Sequence, residues 1–141
     1  MAKITPIDGD GSASAVRVLV VEDFEPSRQF IRSTLQKRRE FQVIREVSDG
    51  LEAVQKAEEL QPDLILLDIG LPTLDGIEAA RRIRKLSSKS KILFLSQESS
   101  ADVVQESLSV GEGYVFKARA GSELLAAVEA VLTGRQFVSS T

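Results

Sequence analysis

The chain reads as an α/β protein: a doubly wound sheet of five parallel strands with helices on both faces. Three observations predict it. Short β-rich runs alternate with longer helical stretches five times from Val16 onward, a (βα)5 order. Most of the runs have apolar cores at consecutive rather than alternate positions, as in Leu64-Ile65-Leu66-Leu67, which suits parallel strands covered on both sides. Four of them end abruptly in a polar residue: Val21 into Glu22-Asp23, Leu67 into Asp68, Leu95 into Ser96, and Phe116 into Lys117. With right-handed crossovers, all four ends lie along one sheet edge, where ligands of such folds bind.

Each element has its own signal. Residues 1 to about 15 are rich in Gly, Ser, Asp and Ala and read as a disordered leader. A single domain is expected over 16–134, with 135–141 as a C-terminal tail or the start of a linker. Arg17–Val21 is the first strand. Pro26–Arg38 is helical, with Pro26 suited to the first position and Phe30, Ile31 and Leu35 sharing a face. Gln42–Val47 is the second strand. Gly50–Leu60 is the second helix, with Asp49 as N-cap and Glu52 three residues on. Pro62-Asp63 breaks it, and Leu64–Leu67 follows as a strand. Asp75 and Glu78 open a third helix that ends near Leu86. Lys91–Leu95 is the fourth strand. Ala101–Val110 is a weaker helix stopped by Gly111. Gly113–Phe116 is the fifth strand and Leu124–Leu132 the fifth helix, with Gly134 just beyond it.

Composition removes several functional classes. At 141 residues the chain can bury one proper core. A net charge of −3 supplies no general attraction to nucleic acid or to an anionic membrane. There is no cysteine, hence no disulfide framework or thiolate metal site. There is no histidine, which excludes a Ser-His-Asp triad and imidazole acid–base work. No apolar stretch approaches the ~20 residues that span a bilayer. A cytoplasmic protein is the expectation.

The polar strand ends carry the chemistry. Glu22, Asp23 and Asp68 repel one another unless a cation intervenes, and an oxygen-only site suits a hard ion, Mg²⁺ or Mn²⁺. Asp68, held beside that ion and Lys117, is placed to act as a nucleophile towards phosphorus. Lys117 supplies a mobile charge for phosphoryl oxygens and Ser96 a hydroxyl. Singly, each has a blander reading: Glu22-Asp23 as the start of a solvated loop, Asp68 as a turn cap, Ser96 and Lys117 as surface groups. No Gly-x-x-x-x-Gly-Lys-Ser/Thr loop or dinucleotide fingerprint is present. Phosphatases with an Asp-x-Asp nucleophile motif need a second acid where this chain has Gly70, so a phosphoacceptor is favoured over a hydrolase.

In this order and spacing, Val-Leu-Val-Val-Glu-Asp-Phe (18–24), Asp-Leu-Ile-Leu-Leu-Asp-Ile-Gly-Leu-Pro-Thr-Leu-Asp-Gly (63–76), Leu-Phe-Leu-Ser (93–96) and Gly-Tyr-Val-Phe-Lys (113–117) resemble a response-regulator receiver domain of two-component signalling. The resemblance covers about Val16 to Gly134. It implies a flavodoxin-like receiver fold and a role residue by residue. Asp68 matches the phosphoacceptor. Asp23 matches the direct metal ligand, Glu22 the acid acting through metal-bound water, and Gly70 the backbone carbonyl on the metal. Ser96 matches the switch hydroxyl, Lys117 the phosphate-pairing lysine, and Tyr114 the switch aromatic that turns inward.

The implied donor is a sensor histidine kinase or phosphotransfer protein. The implied output is a shape change of the face formed by the fourth helix, fifth strand and fifth helix, which is also a possible homodimer surface. Such a chain is not a turnover enzyme; it catalyses only its own phosphorylation and dephosphorylation. No direct nucleic-acid or membrane contact is expected. The alternative is a degenerate receiver serving as a phosphorylation-independent interaction module. Position 22 is Glu where Asp is commoner, position 70 lacks a side chain, and Lys117 is followed by Ala118 where many receivers have proline. Lys-Ala, with Gly-Arg-Gln-Phe-Val-Ser-Ser-Thr (134–141), is most similar to receivers of LuxR-type helix-turn-helix regulators.

Overall fold

Successive side chains of a strand point to opposite faces, so a strand that is apolar throughout feeds two cores. The computed structural model, which describes residues 15–140, shows this in β1 (Val16–Val21) and β3 (Leu64–Leu67). Val18, Val20, Leu64 and Leu66 pack on one side; Leu19, Val21, Ile65 and Leu67 pack on the other. All are essentially inaccessible to water. Each such side chain contributes about 1.5–3 kcal/mol relative to exposure. The leader expected over 1–15 lies, up to residue 14, outside the described residues.

The other expected strands are β2 (Phe41–Val47), β4 (Lys91–Ser96) and β5 (Gly113–Phe116). The sheet is parallel throughout, in the order β2-β1-β3-β4-β5-β6. Its first five strands follow the doubly wound flavodoxin-like order. A sixth strand of two residues, β6 (Phe137–Val138), is added beside β5 to the five expected. It lies inside the segment read as a tail, and two residues are too few to show a periodicity.

Helices α1 (Glu25–Leu35) and α5 (Ala120–Leu132) cover one face; α2 (Gly50–Leu60), α3 (Gly76–Leu86) and α4 (Ala101–Leu108) cover the other. Asp49 caps α2 by accepting the Glu52 N–H at 2.8 Å, and Asp75 caps α3 by accepting the Glu78 N–H at 3.0 Å. Each such cap is worth about 1 kcal/mol.

Several boundaries move. Helix α1 begins a residue before Pro26 and stops at Leu35, because Lys37 and Arg38 close a turn onto Thr34 and Leu35. Helix α5 starts at Ala120, four residues early, directly after a 3-10 turn over Lys117–Arg119. Helix α4 ends at Leu108, and Gly111 does not stop it. A Cβ on Gly111 would instead meet the Phe94 ring at 2.7 Å. Gly134 does terminate α5: at φ +87° it lets Gly134 and Arg135 donate back to Val131 and Ala130. No cis peptide occurs among the described residues, Lys117–Ala118 included. No helix among them is long and apolar enough to cross a membrane.

Candidate functional site

The carboxyl ends of β1, β3, β4 and β5 deliver Glu22, Asp68, Ser96 and Lys117 to one sheet edge. They line an open cavity of about 840 Å³ together with Asp23 and Gly70. Six of the seven residues singled out in the sequence therefore meet there. Tyr114 does not line the cavity.

Glu22 is 1% exposed and fixed at several points. Its N–H donates to Val47 on β2 at 3.0 Å, and its Oε2 accepts the Phe24 N–H at 3.1 Å. Its Oε1 is buried without a hydrogen bond of good geometry and faces the Lys117 ammonium at 2.7 Å. Burial pushes the Glu22 carboxyl up from the usual carboxylate range, and the neighbouring Asp68 charge adds to this. Lys117 and the Phe24 N–H oppose the rise without cancelling it.

Asp68 follows a strand that is buried throughout and is itself 8% exposed. Its Oδ1 accepts the Ile69 N–H at 2.7 Å, which orients the carboxylate; its Oδ2 accepts from Lys117 Nζ at 3.3 Å. The Lys117 ammonium thus lies between Glu22 and Asp68. Burial works to lower its pKa, but the close contact with the Glu22 carboxylate and the charge of Asp68 outweigh it, and the net shift is upward. The lysine stays a cation throughout the physiological range.

Ser96 is 3% exposed and accepts the Glu98 N–H at 3.1 Å, so its hydroxyl organises the loop after β4. Tyr114 sits behind the cavity. Its ring is fully buried, 6.2 Å from Phe94 and 5.8 Å from Phe116, and its hydroxyl donates to the Glu98 carbonyl at 2.6 Å. Burial pushes the phenol pKa up. Ser96 and Tyr114 therefore hold the N–H and the carbonyl of one and the same residue, Glu98.

Oxygen atoms of Glu22, Asp23 and Asp68 all lie within 4.8 Å of one another. Two of these carboxylates are buried and Asp23 is exposed. An all-oxygen donor set with this much negative charge, open on one side, fits a hard divalent cation. Gly70 adds an exposed backbone beside them, and a Cβ there would meet nothing within 4 Å.

Some residues at the site were missed in the sequence. Arg81 on α3 and Glu106 on α4 line the cavity and pair with each other at 2.6 Å across its mouth. Arg28 on α1 donates to the Glu22 carbonyl at 2.8 Å. No sequence signal marks these, because each depends on how a helix is laid against the sheet.

Residues 18–129 match the model of the response regulator receiver domain. Transcriptional regulatory protein LiaR of Bacillus subtilis (strain 168) is 34% identical over 126 residues, a match covering 89% of this chain and 60% of that protein. Response regulator protein VraR of Staphylococcus aureus (strain NCTC 8325 / PS 47) is 34% identical over 120 residues, covering 84% and 57% respectively. The chain thus spans less than two thirds of the length of these relatives. Among solved structures, a two-component response regulator of the LuxR family from Aurantimonas sp. SI85-9A1 superposes with a TM-score of 0.83 at 31% identity, covering 88% of this chain and 89% of that one. A parallel sheet in this order, with acids, hydroxyl and lysine gathered at its carboxyl edge, accords with those matches: the chain belongs to the response regulator receiver domain family of two-component systems, in company with LuxR-type transcriptional regulators.

Proposed function

We propose that the chain is a phosphorylatable switch whose acceptor is Asp68. The observation that carries the reading is the Asp68 carboxylate, with one oxygen held by Ile69 and the other facing Lys117 at 3.3 Å inside an acid-lined cavity. A phosphohistidine on a sensor histidine kinase or phosphotransfer protein is the donor. Asp68 attacks phosphorus, the phosphorus–nitrogen bond breaks, and an acyl phosphate remains on Asp68. The residues that would hold Mg²⁺ (or Mn²⁺) are Asp23 and Asp68 as direct ligands, Glu22 through water, and Gly70 through its carbonyl. When bound, such an ion would supply neutralisation of the charge that gathers on the phosphoryl oxygens. Lys117 leaves its place between Glu22 and Asp68 to pair with the phosphoryl group, and Ser96 donates its hydroxyl to it.

The signal then passes through the loop after β4. Ser96 accepts a hydrogen bond from Glu98, and Tyr114 donates one to it. Moving the hydroxyl therefore biases where the Tyr114 ring is held and, with it, the face of α4, β5 and α5. This is a shift between pre-existing states, and inverting a 1:99 ratio takes about 5.5 kcal/mol of differential stabilisation. The output in the cytoplasm is control of transcription, through an adjoining domain or by pairing of two copies on that face.

Incubation with Mg²⁺ and acetyl phosphate, followed by intact mass measurement, tests the reading. One added phosphoryl group is expected for the wild type and none for Asp68→Asn. A folded wild type that takes up nothing would instead indicate a phosphorylation-independent interaction module.

A further inference from the structure

The acidic pair at the end of β1 is held from outside the cavity, by a residue of α1. The three guanidinium nitrogens of Arg28 go three ways. Nη1 donates to the Glu22 carbonyl at 2.8 Å, Nη2 pairs with the Glu25 carboxylate, and Nε lies 3.7 Å from Glu46 on β2. The side chain is 21% exposed, so it is packed as well as paired. From this we infer that Arg28 is a positioning residue for the metal-binding acids, acting through the backbone between Glu22 and Asp23.

The physical argument starts at the peptide bond. The Glu22 carbonyl and the Asp23 N–H share one rigid plane. A guanidinium that fixes the carbonyl direction therefore fixes the direction in which the chain enters Asp23. On the other side, the Phe24 N–H is tied to Glu22 Oε2 at 3.1 Å, and Glu22 itself is tied to β2 through Val47. Asp23 is exposed, and its neighbours set its place. Arg28 is thus to the Asp23 carboxylate what an outer partner is to a metal ligand, and loss of such partners typically weakens metal binding.

Charge alone predicts the opposite sign. A guanidinium beside three carboxylates repels a divalent cation, so its removal should tighten binding. Arg32 offers the matching control. It is one helical turn further along, pairs with Glu46 at 2.7 and 2.9 Å, and lies 3.9 Å from Glu25, but its side chain makes no hydrogen bond or ion pair with residues 22–24.

The inference rests on the Mg²⁺-assisted acceptor reading above. Its test is calorimetric titration of the whole chain with Mg²⁺, folding being verified by circular dichroism. Arg28→Ala is expected to weaken binding by about tenfold or more. Arg32→Ala, with the same loss of charge, should not weaken it. If Arg28→Ala does not fold, Arg28→Lys decides: it keeps the charge but has one nitrogen in place of three, and weaker binding than the wild type is expected. Wild-type Mg²⁺ binding that Arg28→Ala leaves equal or tighter, or that Arg32→Ala weakens as much, overturns the inference and leaves the acceptor reading standing. A wild type that binds no Mg²⁺ overturns both.

Discussion

At Asp68 the backbone is as constrained as the carboxylate. A Cβ on Gly76 would fall 2.0 Å from the Asp68 carbonyl oxygen and 2.8 Å from the Ile69 Cα, so α3 starts against the acceptor's own main chain. Gly70, two residues after Asp68, faces open space. These glycines therefore differ in kind. Gly76→Ala should cost about 1–3 kcal/mol through forced backbone movement. Gly70→Ala should change stability by no more than about 0.5 kcal/mol. Urea unfolding of both variants checks the contrast, and equal effects would contradict it. The same scale shows what a sequence can carry. Asp68 and Lys117 were legible because strands of known direction must bring their ends together. Arg28 was not, because its partner is a backbone carbonyl, which every residue possesses. Gly76 closes the motif around Asp68, but its steric role appears only where α3 meets β3.

At the scale of elements, α1 is fastened to β2 by charge. Arg32 pairs with Glu46 through its Nε and Nη2, and that hydrogen bonding is the main reason the Glu46 carboxyl is held below its ordinary value. A depressed folded pKa stabilises the native state above the unfolded value, and the contribution is lost as pH falls through the folded value. Glu46→Gln should therefore lower the melting temperature at pH 7. The gap to wild type should close as pH falls below 4.5, the ordinary value. A gap that is constant from pH 7 to pH 3 would show the pair to be inert. Helix α4 stands at the other extreme. Its only buried residue is Ser107, whereas α5 buries Ala120, Leu124, Ala127, Val128 and Val131. An element with so little apolar anchorage is the one a local charge change can shift. That weakness was legible as a poor helical pattern. The sixth strand was not: β6 is held by Ser139, whose N–H donates to the Tyr114 carbonyl at 2.9 Å and whose hydroxyl accepts the Phe116 N–H at 3.0 Å.

Across the whole molecule, one design accounts for both stability and site. Strands apolar on both faces need helices on both sides, and parallel connection then puts every carboxyl end on one edge. The polar residues that the core cannot accept are displaced to that edge, where Glu22, Asp68, Ser96 and Lys117 meet. This is why fold and site were readable together: the same apolar runs that announce the sheet point at its functional edge. What remained hidden were contacts made across the edge by helices, such as Arg81 with Glu106 and Arg28 with Glu22. The central claim is that this edge receives a phosphoryl group on one carboxylate. The most direct measurement is to treat the chain with Mg²⁺ and phosphoramidate, reduce the acyl phosphate with borohydride, and map the resulting homoserine by peptide mass spectrometry. Homoserine at position 68 alone is the predicted result; homoserine at another acid, or none in a folded protein, would contradict the account.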